Sequence, residues 1–482
     1  MSPSTYATPG VYVEEISTLP PSIAEVATAI PAFIGTTSNP AGKEVVIAEI
    51  SSLREYEDKF GLAAPTKWEV TYDPENETSR ITLKGKPADR FSQPESLLWY
   101  AIDLYFRNGG GRCYIISVPS ATTSPERAKL LIKGLAELER FDEPTLILIP
   151  EATTLDSGDY SSVCTNALSH AAKLKDRFVL LDALPSASNS LASADLLALR
   201  EPLGNTNLDR GALYFPFLCT SLAHRLDESA ITVAGLPAAT EGSAASEDVT
   251  KAANKSKAGA ANVSTATLQS LSTTQTAAYN TIKKQLSEQR ILLPPSPAIA
   301  GVITSTDRER GVWKAPANVS LQAVIAPNVQ VTDEQQALLN IDATTGKSVN
   351  VIRSFAGKGT LVWGARTLAG NDNEWRYISV RRLFITIEES VKKSTSFAVF
   401  EANDTSTWLK VKGMIDSYLY SLWERGALRG SKAEEAYFVN VGLNKTMTQD
   451  DILNGRLIVE IGLAAVRPAE FIILRFSHKL AQ

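Results

Sequence analysis

Histidine and cysteine are scarce in this chain, three of each in 482 residues, which removes most metal and redox chemistry at the outset. His170, His224 and His478 are far apart, and neither a CxxC nor an HExxH spacing occurs, so no two side chains are placed to share a metal ion. No GxSxG elbow is present to support a Ser-His-Asp hydrolase. Positive charge is not in excess either. The formal net charge is −5 and there is no dense basic stripe, which argues against a nucleic-acid binder held by phosphate contacts. No apolar run approaches the roughly 20 residues that a bilayer span requires. The opening MSPSTYATPG lacks the cationic and apolar segments of a signal peptide. Cys113, Cys164 and Cys219 are odd in number and widely separated, which fits buried reduced thiols in a protein folded in the cytoplasm.

Three positions imitate catalytic signatures. GGGR at 109–112 lies between a helix and the strand after it, whereas a phosphate cradle runs strand, loop, helix. Gly346-Lys347-Ser348 matches the end of a P-loop, but the first glycine of that motif would fall on Ile341, and strand-like VNVIRSF follows. Both read as turns. Asp182 closes an apolar strand, where an α/β enzyme places a catalytic carboxylate, and it serves equally well as a cap for the following segment. No catalytic, cofactor-binding or metal-ligating residue is therefore expected.

What the chain does have is 44% hydrophobic residues with 21% charged, the balance of a globular protein, and enough length for about two to four domains. From about 93 to 220, continuous apolar strands alternate with amphipathic helices: CYIISV (113–118), TLILIP (145–150), FVLLDAL (178–184) and ALYFPFL (212–218). Unbroken apolar strands between helices indicate a parallel sheet covered on both faces. Earlier, VATAIPAFIGTT reads as a buried strand, and 66–90 as a hairpin turning at Asp73-Pro74. Residues 237–265 shift to Ala, Ser, Thr and Gly, a composition that reads as a mobile surface insertion. A helix carrying Leu268, Leu271, Tyr279, Ile282 and Leu286 then ends before Pro294-Pro295. Further on, VNVIRSF (349–355) and TLVWGA (360–365) read as strands. A helix over about 374–392 follows, and a second starts at an Asp404 cap and stops at Gly426. AYFVN (436–440) and LIVEIGLA (457–464) are the last strands before the tail.

Both ends look like strands without a local partner. PGVYVEEI (9–16) alternates Val11 and Val13 against Tyr12 and Glu14, and PAEFIILRF (468–476) is nearly continuously apolar. An unpaired apolar strand invites aggregation unless something pairs with it. Each end either docks on its own domain or is donated to a neighbouring copy.

Several long segments carry a family resemblance. TPGVYVEEIS and AIPAFIGTT near the start, PPSPAIAG (294–301), RGVWKAPAN (310–318), NVIRSFAGKGTLVWGARTLA (350–369) and EWRYISVRRLF (374–384) belong to this set. So do FEANDTSTW (400–408), GALRG (426–430), EAYFV (435–439) and RPAEFIILRF (467–476). Together they resemble the sheath proteins of contractile phage tails and of phage-tail-like contractile injection systems. These blocks cover the first 40 residues and nearly all of the last 190, while about 60–290 is where such sheaths vary.

The resemblance implies a mixed α/β, multi-domain sheath subunit. The layout would be an N-terminal arm over 1–20, an N-terminal and middle α/β region over 21–345, a C-terminal sheath domain over 346–466, and a C-terminal arm over 467–482. It implies stacked hexameric rings of this chain around an inner tube protein, with baseplate and terminal cap proteins as further partners. Direct nucleic-acid contact, membrane insertion and a cofactor are not implied. Strands would be exchanged between subunits through Val11, Tyr12, Val13 and Glu14 at one end and Glu470, Phe471, Ile472 and Ile473 at the other, with Leu19, Pro20, Pro21 and Pro468 as hinges. Assembly would take place in the bacterial cytoplasm, for a phage tail or for a released or anchored injection particle. An enzyme using the middle domain, or a non-contractile self-assembling shell, are the alternatives.

Overall fold

A computed structural model of the chain describes residues 22–39, 44–73, 76, 78–83, 85–184, 198–236 and 264–473. The N-terminal positions Val11, Tyr12, Val13, Glu14, Leu19, Pro20 and Pro21, the insertion over 237–263, and His478 lie outside the described residues. The chain divides into two compact units. The larger spans Ala27–Ile385 and takes in residues 467–473; the smaller is Thr386–Val466 together with residues 22–26.

The larger unit is organised on one eight-stranded sheet. Its strand order is Gly359–Val362, Val349–Phe355, Gly211–Phe215, Phe178–Asp182, Leu146–Leu148, Pro31–Thr36, Cys113–Val118 and Val46–Ile50. Every internal pair is parallel, and only the two edge strands run antiparallel to their neighbours. The unbroken apolar runs are explained by what each face meets. Ile34, Ile116, Val179 and Leu213 enter one core, beneath helices Ser124–Glu137 and Ser157–Leu174. The alternate residues Phe33, Ile115, Leu180 and Tyr214 enter another, beneath helices Leu98–Arg107 and Ser296–Arg310. Period-two alternation between two dry faces makes both sets of positions mainly apolar, and the polar exceptions Ser117, Asp182 and Asn350 are themselves buried.

The last two helices cross closely at Gly301, where a Cβ would stand 2.6 Å from the carbonyl oxygen of Tyr105. No side chain fits there.

Two smaller sheets flank this body. One orders Val324–Pro327, Leu218–Ala223, Arg290–Leu293 and Phe91–Ser92; the other orders Ser264–Thr267, Thr232–Leu236, Trp68–Asp73, Thr78–Leu83 and Lys86–Pro87. The hairpin expected at Asp73-Pro74 is the Trp68–Asp73 and Thr78–Leu83 pair, with its own core around Trp68, Val70 and Ile282.

Three expectations need correction, and one segment was not read at all. ALYFPFL is two strands in two sheets, because Pro216 has no N–H to continue the ladder. The helix over 268–286 is broken at Gln275 into Leu268–Thr274 and Thr276–Glu288. The family block PPSPAIAG, for which no element was expected, opens the helix Ser296–Arg310, whose residues Ser296 to Ile303 are buried all round and so show no amphipathic period. Finally, the larger unit does not stop at 345. Val349–Phe355 pairs with Gly211–Phe215 and thereby joins the central sheet, so the compact unit runs to Ile385.

In the smaller unit, helix Thr405–Glu424 packs against an antiparallel hairpin, Tyr437–Val441 with Val459–Leu463. The Asp404 carboxylate accepts from Thr407 N at 3.0 Å, which caps that helix, and Gly426 at φ +83° ends it. Near the N-terminus, Ala24 N and Val26 N donate to the Ser394 and Ser390 hydroxyls at 3.2 and 3.1 Å.

Candidate functional site

The positions that imitate enzyme motifs have structural partners. Asp182 is fully buried, and its carboxyl accepts from Ser296 N at 2.6 Å and Ser296 Oγ at 2.5 Å, so it caps the helix that Ser296 begins. Burial pushes its pKa up to about 7, against those hydrogen bonds. The Lys347 ammonium is buried and donates to the Arg200 carbonyl at 3.1 Å, and Gly346 turns the chain at φ +71°. Gly110 N donates to the Tyr105 carbonyl at 3.1 Å, a helix-terminating bond.

His224 sits between the hydroxyls of Thr66 and Ser92 at 2.9 and 3.0 Å, and His170 lies 3.1 Å from the Arg177 guanidinium. Burial pushes both rings down to about 4. All three thiols are buried, and burial holds each above its ordinary range. That makes them poor nucleophiles. Among the described residues no cluster of three or more His, Cys, Asp or Glu is arranged for a metal ion, and no helix is long and apolar enough to cross a membrane.

Two other features leave groups without a partner among the described residues. The first is the hairpin of the smaller unit. Its strands pair from Tyr437↔Leu463 to Val441↔Val459, and among the described residues neither outer edge carries another strand. A two-stranded ribbon is marginal by itself. Val439 and Val441 face inward, and the Lys412 ammonium donates to the Val439 carbonyl at 2.7 Å. The ring of Phe438 lies across Gly462, where any Cβ would collide with it.

Beside the Val459–Leu463 strand opens a groove of about 700 Å³, floored by Val391, Val411, Ile415, Val459 and Ile461. On its rim Phe400 is 103% exposed and held at φ +69°, a left-handed conformation that costs a non-glycine residue energy. Val399 and Leu409 are exposed as well.

The second feature is the root of the C-terminal arm, in the larger unit. The Glu470 carboxylate is gripped by the Arg366 guanidinium, Nε to Oε1 at 2.8 Å and Nη2 to Oε2 at 2.6 Å. Tyr377 OH and Asn340 Nδ2 add bonds at 3.2 and 3.3 Å. Burial opposes the charge of Glu470, but the bonds and charge of Arg366 prevail and hold its carboxyl below the usual range. Immediately beyond, Phe471, Ile472 and Ile473 are 68%, 81% and 77% exposed and belong to no strand.

The sequence therefore located the apolar arm but not its anchor. Glu470, expected among the exchanged residues, is engaged by its own chain. Arg366, Tyr377, Asn340 and the groove were missed, since none has a spacing that announces it. The available signal was a lone arginine inside the apolar stretch GARTLA.

An α/β body with no catalytic constellation among its described residues, an open hairpin and an unpaired apolar arm is the framework of a structural subunit. Models of the phage tail sheath protein central domain and of the phage tail sheath C-terminal domain match residues 221–368 and 370–479. The chain belongs to the phage tail sheath family. It is 30% identical to a sheath chain in the contracted PVC sheath complex of an extracellular contractile injection system, over 99% of both chains with a TM-score of 0.63. With the helical sheath of the anti-feeding prophage in its contracted state, identity is 32% over 98% of this chain and 100% of that one, and the TM-score is 0.63. The tail sheath proteins of Vibrio phage KVP40 and Enterobacteria phage T4 are 25% identical over 185 residues and 24% over 115. Those matches take in 38% and 24% of this chain but only 26% and 17% of the phage proteins, so the chain spans about a quarter or less of the curated relatives it matches.

Proposed function

We propose that this protein polymerises as the outer sheath of a contractile tail or injection particle by adding its terminal arms, as strands, to the open hairpin of neighbouring copies. The observation that carries the reading is the coexistence, on one chain, of an apolar arm without a partner and a hairpin with free edges beside an apolar groove. A strand laid along a free edge gains main-chain bonds worth about 0.5–1.5 kcal/mol each. Burial of Phe471, Ile472 and Ile473 adds about 1.5–3 kcal/mol per side chain, so the apolar contacts set the strength and the backbone sets the register.

Rings of six subunits would stack around an inner tube, from a baseplate to a terminal cap, assembling in the bacterial cytoplasm. Contraction then follows without nucleotide: the extended sheath is a trapped state, and release at the baseplate lets subunits rotate into tighter packing while the arms stay attached. Leu19, Pro20, Pro21 and Pro468 would take up the change of direction, and the 237–265 insertion would face outward.

Electron microscopy of purified protein tests this directly. Full-length chain is expected to form hollow striated cylinders, whereas deletion of residues 1–18 or of 469–482 leaves folded, soluble protein without tubes. Normal tubes from either truncation would contradict strand donation, and flat lattices would favour the shell reading.

A further inference from the structure

The geometry points to Arg366 as a clamp that sets where and in which direction the C-terminal arm leaves the subunit. This rests on the arm being the donated segment. Arg366 is 3% exposed and is itself fixed on every side. Its backbone N–H donates to Asn350 Oδ1 at 2.7 Å, and Asn350 Nδ2 donates to its carbonyl at 2.7 Å. Asn350 belongs to the strand Val349–Phe355, so the arginine is tied to the central sheet. Its Nη1 donates to the Gly370 carbonyl at 3.2 Å. The fork left over is aimed outward and is filled by both oxygens of Glu470. Bidentate pairing fixes orientation as well as distance, which a lysine at this position cannot do.

The consequence is a division of the tail. Residues 467–469, including Pro468, lead up to Glu470, which is clamped within the larger unit. Freedom of the arm begins only at Phe471. A donated strand that starts from a fixed root loses less entropy on docking than one swinging from Val466. Arg366 is thus a positioning residue for assembly, with no contact of its own to the receiving sheet.

The test is made on unassembled subunits, so that it does not depend on tube formation. Cysteines introduced at Lys358 and Ile473 are spin-labelled and their distance distribution measured by pulsed electron paramagnetic resonance; the native thiols are buried. A second pair at Lys358 and Lys314 reports on the body alone. In E470Q and in R366M the Lys358–Ile473 distribution is expected to widen at least twofold while the body pair keeps its width. An unchanged arm distribution in E470Q overturns the clamp. Equal widening of the body pair also overturns it, because the contact would then serve folding and not direction. Failure of the wild-type chain to make tubes would count against strand donation and leave the clamp measurement standing.

Discussion

Buried polar residues in this chain secure backbone, and His224 shows what that costs in acid. Its ring is enclosed by Trp68 at 5.0 Å between centroids and by the hydroxyls of Thr66 and Ser92. Burial lowers its pKa to about 4 from the ordinary 6.5. The unfolded chain therefore binds the proton first: the neutral ring's contribution is complete above pH 6.5 and is lost as pH falls from 6.5 to 4. His170 has the same sign. Asp182 has the opposite one, since its raised pKa makes its contribution largest below pH 4 and removes it as pH rises toward 7. Replacing His224 with Gln is expected to remove about one proton, near 1.4 kcal/mol per pH unit, from the slope of stability between pH 6 and 4.5. Denaturant melts across that range check it, and an unchanged slope would show that the ring is not the titrating group.

At the scale of elements, legibility followed solvent contrast. CYIISV, FVLLDAL and VNVIRSF were readable because apolar runs of that length between helices have few other uses, and all three are strands of the central sheet. Asp404 and Gly426 were readable because helix ends demand those residue types. The helix Ser296–Arg310 was not, because an element buried on all sides has no wet face to give it a period. Nor was the end of the larger unit, since pairing of Val349–Phe355 with Gly211–Phe215 is a contact across more than a hundred residues that no local pattern encodes. The groove was equally hidden, being made from three separate stretches, 391–403, 411–415 and 455–461. It carries a prediction at this scale. Ile461 is half-buried on its floor, in the strand that offers a free edge. Ile461→Asp is expected to lower stability by about 1–2 kcal/mol, leaving a folded subunit, and yet to abolish tubes, because a charge in the groove rejects the apolar side chains of a docking strand. Thermal melts read beside negative-stain images decide it: tubes of normal yield from a folded variant would remove the groove from the interface.

For the whole molecule, the question is whether the proposed strand exchange could hold an assembly through such short segments. One arm offers roughly five main-chain bonds at about 1 kcal/mol and three apolar side chains at about 2 kcal/mol, some 11 kcal/mol gross. Ordering six or so residues costs about 1–2 kcal/mol each and removes most of it. A single donated strand is therefore weak, with an affinity on the order of millimolar. On the proposed strand exchange permanence would come from number: each subunit would give two arms and receive two, and once one is docked the next would bind at high effective concentration. This separates the arm from a cofactor or a ligand, and it can be measured. A synthetic peptide of residues 466–482, added at millimolar concentration to the chain lacking 469–482, is expected to bind with that weak affinity. It should slow amide exchange in Tyr437–Val441 or Val459–Leu463, while an Ile473→Asp peptide should do neither. Because the peptide lacks a second arm, it should also stop full-length chain from extending tubes when present in excess. Protection confined to other segments, or none at concentrations where tubes are blocked, would mean that the hairpin is not the receiving sheet.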